Sequence, residues 1–198
     1  MGNINKGVLR QAVLIGGTSF VIAILMSIGS GVVVNSFHNL VLALILLILI
    51  ITVGIIFDLV GVAVTVAEEH HFHAKASKKV KGSKQANNLI AQADKVASFC
   101  NDVVGDICGT VSGSLGAAIV YMIVTNGSRY DQLVTTLMTG IIAALTVGGK
   151  AAGKKLALEQ SERVVFRVAR VLAWVEDTLG FAIVRPKGRR RARERVTR

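Results

Sequence analysis

A single proline, Pro186, stands in 198 residues, so no earlier position obliges a helix to kink or stop by losing a backbone donor. Aromatic residues make up only 5% of the chain and charged residues 18%, against 52% hydrophobic, a balance that excludes an ordinary water-soluble domain. Cysteine is equally scarce. Cys100 and Cys108 lie eight positions apart in one apolar stretch, about 12 Å at helical rise, too far to bridge each other. No C-x-x-C or zinc-type Cys/His spacing accompanies them, so both read as packing residues. Signatures of catalysis are missing too: there is no G-x-S-x-G, P-loop, H-E-x-x-H or dinucleotide glycine pattern, and the chain is not expected to be an enzyme.

What is present is long apolar sequence. Between Arg10 and Asp58 no Asp, Glu, Lys or Arg occurs, a run too long for one crossing of a hydrocarbon core about 30 Å thick. Asn35 to Asn39 is the natural break, dividing a span over 11–34 from one over 40–67. The first has a basic start like a signal peptide, but its apolar region is too long and has no A-x-A-like site. A third span is expected over 96–125 and a fourth over 132–149, separated by the polar turn Asn126 to Asp131. The expected fold is therefore an all-α integral membrane protein with four transmembrane helices.

Charge sets the expected orientation. Of 23 Lys and Arg, eight lie in the tail 185–198 beside one acidic residue, and Lys75, Lys78, Lys79, Lys81, Lys84 and Lys95 lie in the loop 68–95. With Lys6 and Arg10 they place residues 1–10, that loop and the C-terminus on the cytoplasmic side, because basic residues flanking spans stay inside. The net charge of +11 is mostly this tail, which suits anionic lipid headgroups in a cell membrane rather than nucleic acid. Residues 150–184 read as a cytoplasmic amphipathic helix, with Arg163, Arg167 and Arg170 on one face and Val164, Val168 and Leu172 on the other.

The stretch 101–118, N-D-V-V-G-D-I-C-G-T-V-S-G-S-L-G-A-A, concentrates the chemistry. Gly105, Gly109 and Gly113 recur every four residues and form a ridge for close helix packing. Asp102 and Asp106 are also four apart and share a face. Asp58 and Asp106 each sit nine residues inside the expected inner boundary, with Asn101 and Asp102 about one turn shallower. Ionisable groups at that depth meet protein, water or an ion. The oxygen set Asp58, Asn101, Asp102 and Asp106 suits Mg²⁺, Ca²⁺ or Na⁺; the competing reading is a polar cluster of protonated or hydrogen-bonded carboxyls that only specifies helix packing. A second constellation, Glu69, His70 and His73, has the i,i+3 and i,i+4 spacing of a transition-metal or pH-sensing site, or of solvated histidines at a membrane edge.

Four segments in order, Phe57 to Val66, Lys81 to Ala86, Ser98 to Val104 and Gly149 to Val164, resemble the transmembrane domain of the CorB/CorC and cyclin-M (CNNM) family. Ala63, Thr65, Asn101, Gly149, Lys154, Ala157, Glu162, Arg163 and Val164 fit its motifs. The resemblance implies Mg²⁺ homeostasis or transport, a homodimer, Asn101 as a metal-site residue and three family spans with an extra one in front. Four positions depart from the pattern. Gly61 and Lys150 stand where the family carries glutamates, and Gly153 stands where it carries proline. Asp58 replaces a serine. No CBS pair occurs through Arg198, so ATP regulation is not implied. A non-transporting membrane interaction protein that keeps the fold stands beside the transport reading.

Overall fold

The computed structural model describes residues 2–37, 39–68, 70, 72, 80–124 and 129–180. Those residues form helices and connections with no strand. Among the described residues the longer helices run in the order α1 (Gly2–Phe37), α2 (Leu40–Val66), α3 (Ser83–Ile90), α4 (Ala93–Ile123), α5 (Arg129–Glu159) and α6 (Ser161–Leu179). Three stretches, Leu40–Val66, Ala93–Ile123 and Gln132–Glu159, are long and apolar enough to cross a membrane, and α1 carries a shorter apolar segment, Ala12–Ile28. The chain divides into two compact units, residues 1–59 with 98–155, and residues 60–97 with 156–198.

The core of the first unit is built from stripes at helical spacing. Ala43, Leu47, Ile50 and Ile51 of α2 pack with Val103, Ile107, Cys108, Val111, Leu115 and Ile119 of α4, and Ile142 of α5 joins them. Ile15, Ile22, Ala23 and Met26 of α1 flank this core, while Leu14, Phe20, Val21, Leu25 and Ile28 remain exposed. Exposed apolar side chains along a helix that already buries its other face suit a lipid solvent. Three glycines permit the tight packing. A methyl group on Gly54 would stand 2.8 Å from Cys108 Cβ, and methyl groups on Gly116 and Gly149 would collide with Ile142 and Ile55.

One helix boundary differs from expectation. The helix α5 does not stop at Gly149 but continues to Glu159, and the break falls at Gln160, with φ −130° and ψ 32°. The G-G-K-A-A-G-K-K segment keeps its helix because Gly149 and Gly153 rest against Ile55 and Leu59 of α2; here glycine serves close approach rather than termination. The polar loop carries the short helix Ser83–Ile90.

In the second unit α3 packs on α6. Ala86, Leu89 and Ile90 on the first and Val165, Ala169 and Ala173 on the second are buried. Gly82 begins α3 at φ +93°, with the Arg170 backbone 3.2 Å from where its Cβ would be, so both conformation and space require glycine. Lys81 pairs with Asp177 at 2.9 Å, and Gln85 Nε2 donates to Glu176 Oε2 at 2.8 Å. Arg170 also lies over the Phe166 ring, 5.3 Å from its centroid. Gly180 ends α6 in the left-handed region, and the tail 181–198 lies outside the described residues.

Candidate cation site

Asp58 sits on the same stripe of α2 as Ile50, Ile51 and Gly54, and the helix therefore carries it into the interior of the first unit. It is 5% exposed, the most deeply placed carboxylate among the described residues. Its Oδ2 accepts no hydrogen bond from any described residue; Lys154 Nζ stands 3.9 Å away, an ion-pair distance but not a hydrogen bond. A buried oxygen left so costs about 1–3 kcal/mol, more when it is charged.

Opposite it, α4 departs from α-helical winding. Phe99–Gly105 forms a π turn, which accommodates one extra residue and shifts the phase of the side chains that follow. Asn101 lies inside this turn, and its Oδ1 is likewise buried with no hydrogen-bond partner among the described residues. Gly105 closes the turn. A methyl group there would lie 3.2 Å from the Cys100 carbonyl oxygen, 3.6 Å from Lys150 Nζ and 3.9 Å from Asp58 Oδ1. The missing Cβ thus leaves a cradle bordered by carboxylate oxygen, carbonyl oxygen and one ammonium.

The helix α5 supplies the cations. Lys150 and Lys154 are four apart on a face set against α2 by Gly149 and Gly153. Lys150 Nζ donates to the Gly105 carbonyl at 3.2 Å and stands 3.8 Å from Asp106 Oδ1. Its side chain is 22% exposed and that of Asp106 74%, so solvent weakens this ion pair, which by itself is worth at most about 1 kcal/mol.

The four oxygen-bearing residues expected at the site therefore divide. Asp58 and Asn101 present buried, unsatisfied oxygens, whereas Asp106 is exposed and paired with Lys150. Asp102 is exposed and accepts a 2.7 Å hydrogen bond from Ser98 Oγ. Among the described residues no three His, Cys, Asp or Glu gather into a metal cluster, so the structure does not bring Asp58, Asp102 and Asp106 together as one carboxylate triad.

Of the glycine ridge only Gly105 is enclosed. Gly109 and Gly113 have nothing within 4 Å of a would-be Cβ, and they line an open groove of about 300 Å³ with Ala117, Thr135, Thr139 and Thr146. Close helix approach within the chain occurs instead at Gly54, Gly116 and Gly149. Of the second constellation, His70 Nδ1 lies 3.2 Å from Glu68 Oε2 in an exposed pair, while Glu69 and His73 fall outside the described residues.

Sequence reasoning named Asp58 and Asn101 as candidates, and the structure buries an oxygen of each, but it missed the π turn and the contact of Lys150 with Gly105. The i,i+4 pair of Lys150 and Lys154 beside Gly149 and Gly153 carried that signal, since the glycines mark the face that meets α2.

No curated protein matches the chain. Among protein families, the model described as the cyclin M transmembrane N-terminal domain matches residues 42–184. That stretch includes α2 from residue 42 onward, the π turn and both lysines, and on this match the chain belongs to the CNNM transmembrane-domain family.

Proposed function

We propose that the chain is a multi-pass membrane protein that takes a divalent cation of the Mg²⁺ class, as cargo, between α2 and the π turn of α4. The observation that carries this reading is the pair of buried oxygens, Asp58 Oδ2 and Asn101 Oδ1, neither of which accepts a hydrogen bond from a described residue. Carboxylate, amide and carbonyl oxygens are the donors that hard divalent cations take, at about 2.0 to 2.6 Å. Asp58 supplies the charge, Asn101 a neutral ligand, and the Gly105 cradle the room. Membership in a Mg²⁺-homeostasis family supports the same ion.

Counting α1 as a fourth crossing through Ala12–Ile28 puts residues 1–10, the loop 68–95 and residues 150–198 on the cytoplasmic side of a cell membrane. In this arrangement α6 is the cytoplasmic amphipathic helix, the basic tail meets anionic headgroups, and two copies form a homodimer. None of the proposed roles is catalytic.

The second reading is a non-transporting interaction protein, favoured by Lys150 and Lys154 standing beside the carboxylates as permanent counter-ions. Proteoliposomes separate the two. Mg²⁺ flux that disappears in Asp58→Asn supports the transport reading; flux equal to that of empty liposomes supports the other.

A further inference from the structure

We infer that Lys150 is a tethered competitor of the divalent cation: its ammonium group and the ion are alternative occupants of the space beside Gly105, and it sets the affinity of the site. The inference rests on the cation-site reading above and adds a residue whose effect on binding is opposite in sign to that of Asp58.

Geometry places the ammonium at the cradle. Lys150 Nζ donates to the Gly105 carbonyl at 3.2 Å, lies 3.8 Å from Asp106 Oδ1, and would touch a Gly105 methyl at 3.6 Å, from the same point that Asp58 Oδ1 borders at 3.9 Å. One carbonyl that could face an ion is thus already spent on the lysine. Charge leads to the same conclusion. Asp58 and Asp106 are each matched by a lysine, so a divalent ion entering with both ammoniums in place would meet two like charges, of which Lys150, with a side chain 22% exposed against 55% for Lys154, is the less screened by solvent. For an effective dielectric of about 20, a unit charge about 4 Å away changes the affinity for an ion by more than a factor of ten. The ion therefore enters as the ammonium leaves.

Lys150 is built to leave. Its ammonium ends a flexible four-carbon stem, and its side chain is 22% exposed, so it has a route to solvent that the 5% exposed Asp58 lacks. Gly149, one residue earlier, fixes the backbone against Ile55, so exchange is a side-chain movement rather than a helix movement.

The test is Mg²⁺ titration of the full chain purified in detergent, read by calorimetry and by the shift in unfolding temperature. Lys150→Met, which keeps the stem and removes the charge, is expected to bind Mg²⁺ at least about tenfold tighter than wild type. Lys150→Gln serves the same purpose if the methionine variant does not fold. Lys150→Arg, which retains the charge, shows no such gain. Adding Asp58→Asn to Lys150→Met removes the gain, which a merely structural role for Lys150 would not produce. If Lys150→Met and Lys150→Gln bind no tighter than wild type while Asp58→Asn still abolishes binding, the competition is overturned and the cation site stands. If Asp58→Asn has no effect on binding in any background, the site and the competition are both overturned.

Discussion

Lys150 donates a hydrogen bond to the carbonyl of Gly105 at 3.2 Å, joining α5 to the last residue of the π turn in α4. The contact brings an ammonium group beside the Cα of Gly105, which the Cys100 carbonyl and Asp58 Oδ1 also border, and within 3.8 Å of Asp106 Oδ1.

Filling the cradle should abolish ion binding without unfolding the protein. The methyl group of Gly105→Ala lies 3.2 Å from the Cys100 oxygen and occupies the space beside Asp58 Oδ1. The expected cost is about 1–3 kcal/mol of stability from overpacking. Circular dichroism should show retained helix, and the Mg²⁺-dependent rise in unfolding temperature should vanish. A full Mg²⁺ response in Gly105→Ala would mean that the ion does not use this space.

Glycines in the first unit should separate into two classes. Gly54→Ala brings a methyl group to 2.8 Å from Cys108 Cβ and should destabilise the protein by about 1–3 kcal/mol. Gly109→Ala meets nothing within 4 Å and should be neutral or stabilise by about 0.5–1 kcal/mol, the usual gain of replacing glycine inside a helix. Thermal unfolding in one detergent compares the two directly; equal effects would contradict the packing described.

Carboxylates four residues apart on α4 should prove unequal to Asp58. Asp102 is exposed and held by Ser98, so Asp102→Asn should leave the Mg²⁺ response within about twofold of wild type. Loss of the response in that variant would return Asp102 to the site.

In the second unit Gly82→Ala should cost about 1–3 kcal/mol, because a side chain at φ +93° is strained and meets the Arg170 backbone. Lys81→Ala, which removes an exposed ion pair with Asp177, should cost at most about 1 kcal/mol. Limited proteolysis of the polar loop, compared between the two variants, reads the difference. Comparable cleavage would show that the glycine is not the constraint.

Much of the helical plan was legible in the sequence because the uncharged run from Gln11 to Phe57 and the spacing of Ala43, Leu47 and Ile50 leave a long chain few alternatives to apolar helices. Asp58 was legible as a candidate because it lies nine residues inside the expected inner boundary, and the structure buries it. The π turn was not. Inserting one residue between Phe99 and Gly105 changes which side chains share a face, and Val103, Ile107 and Val111 keep their apolar spacing either way, so Asp102 and Asp106 read as equal partners until the turn is seen. Lys150 was legible only as a departure from the family pattern. Its position depends on Gly149 and Gly153 meeting α2, whereas the expected fourth span stopped at Gly149.

The central claim is that Asp58 and Asn101 hold a divalent cation, and the most direct measurement is Mg²⁺-dependent stabilisation of the purified chain, in wild type and in Lys150→Met. Binding to the folded state alone stabilises by about 2.7 kcal/mol at a hundredfold excess over the dissociation constant. The expected result is a rise in unfolding temperature with Mg²⁺ that Asp58→Asn eliminates and Asn101→Ala weakens, at unchanged helix content. Unfolding temperatures indifferent to Mg²⁺ in both wild type and Lys150→Met, or a rise that survives Asp58→Asn, would contradict it.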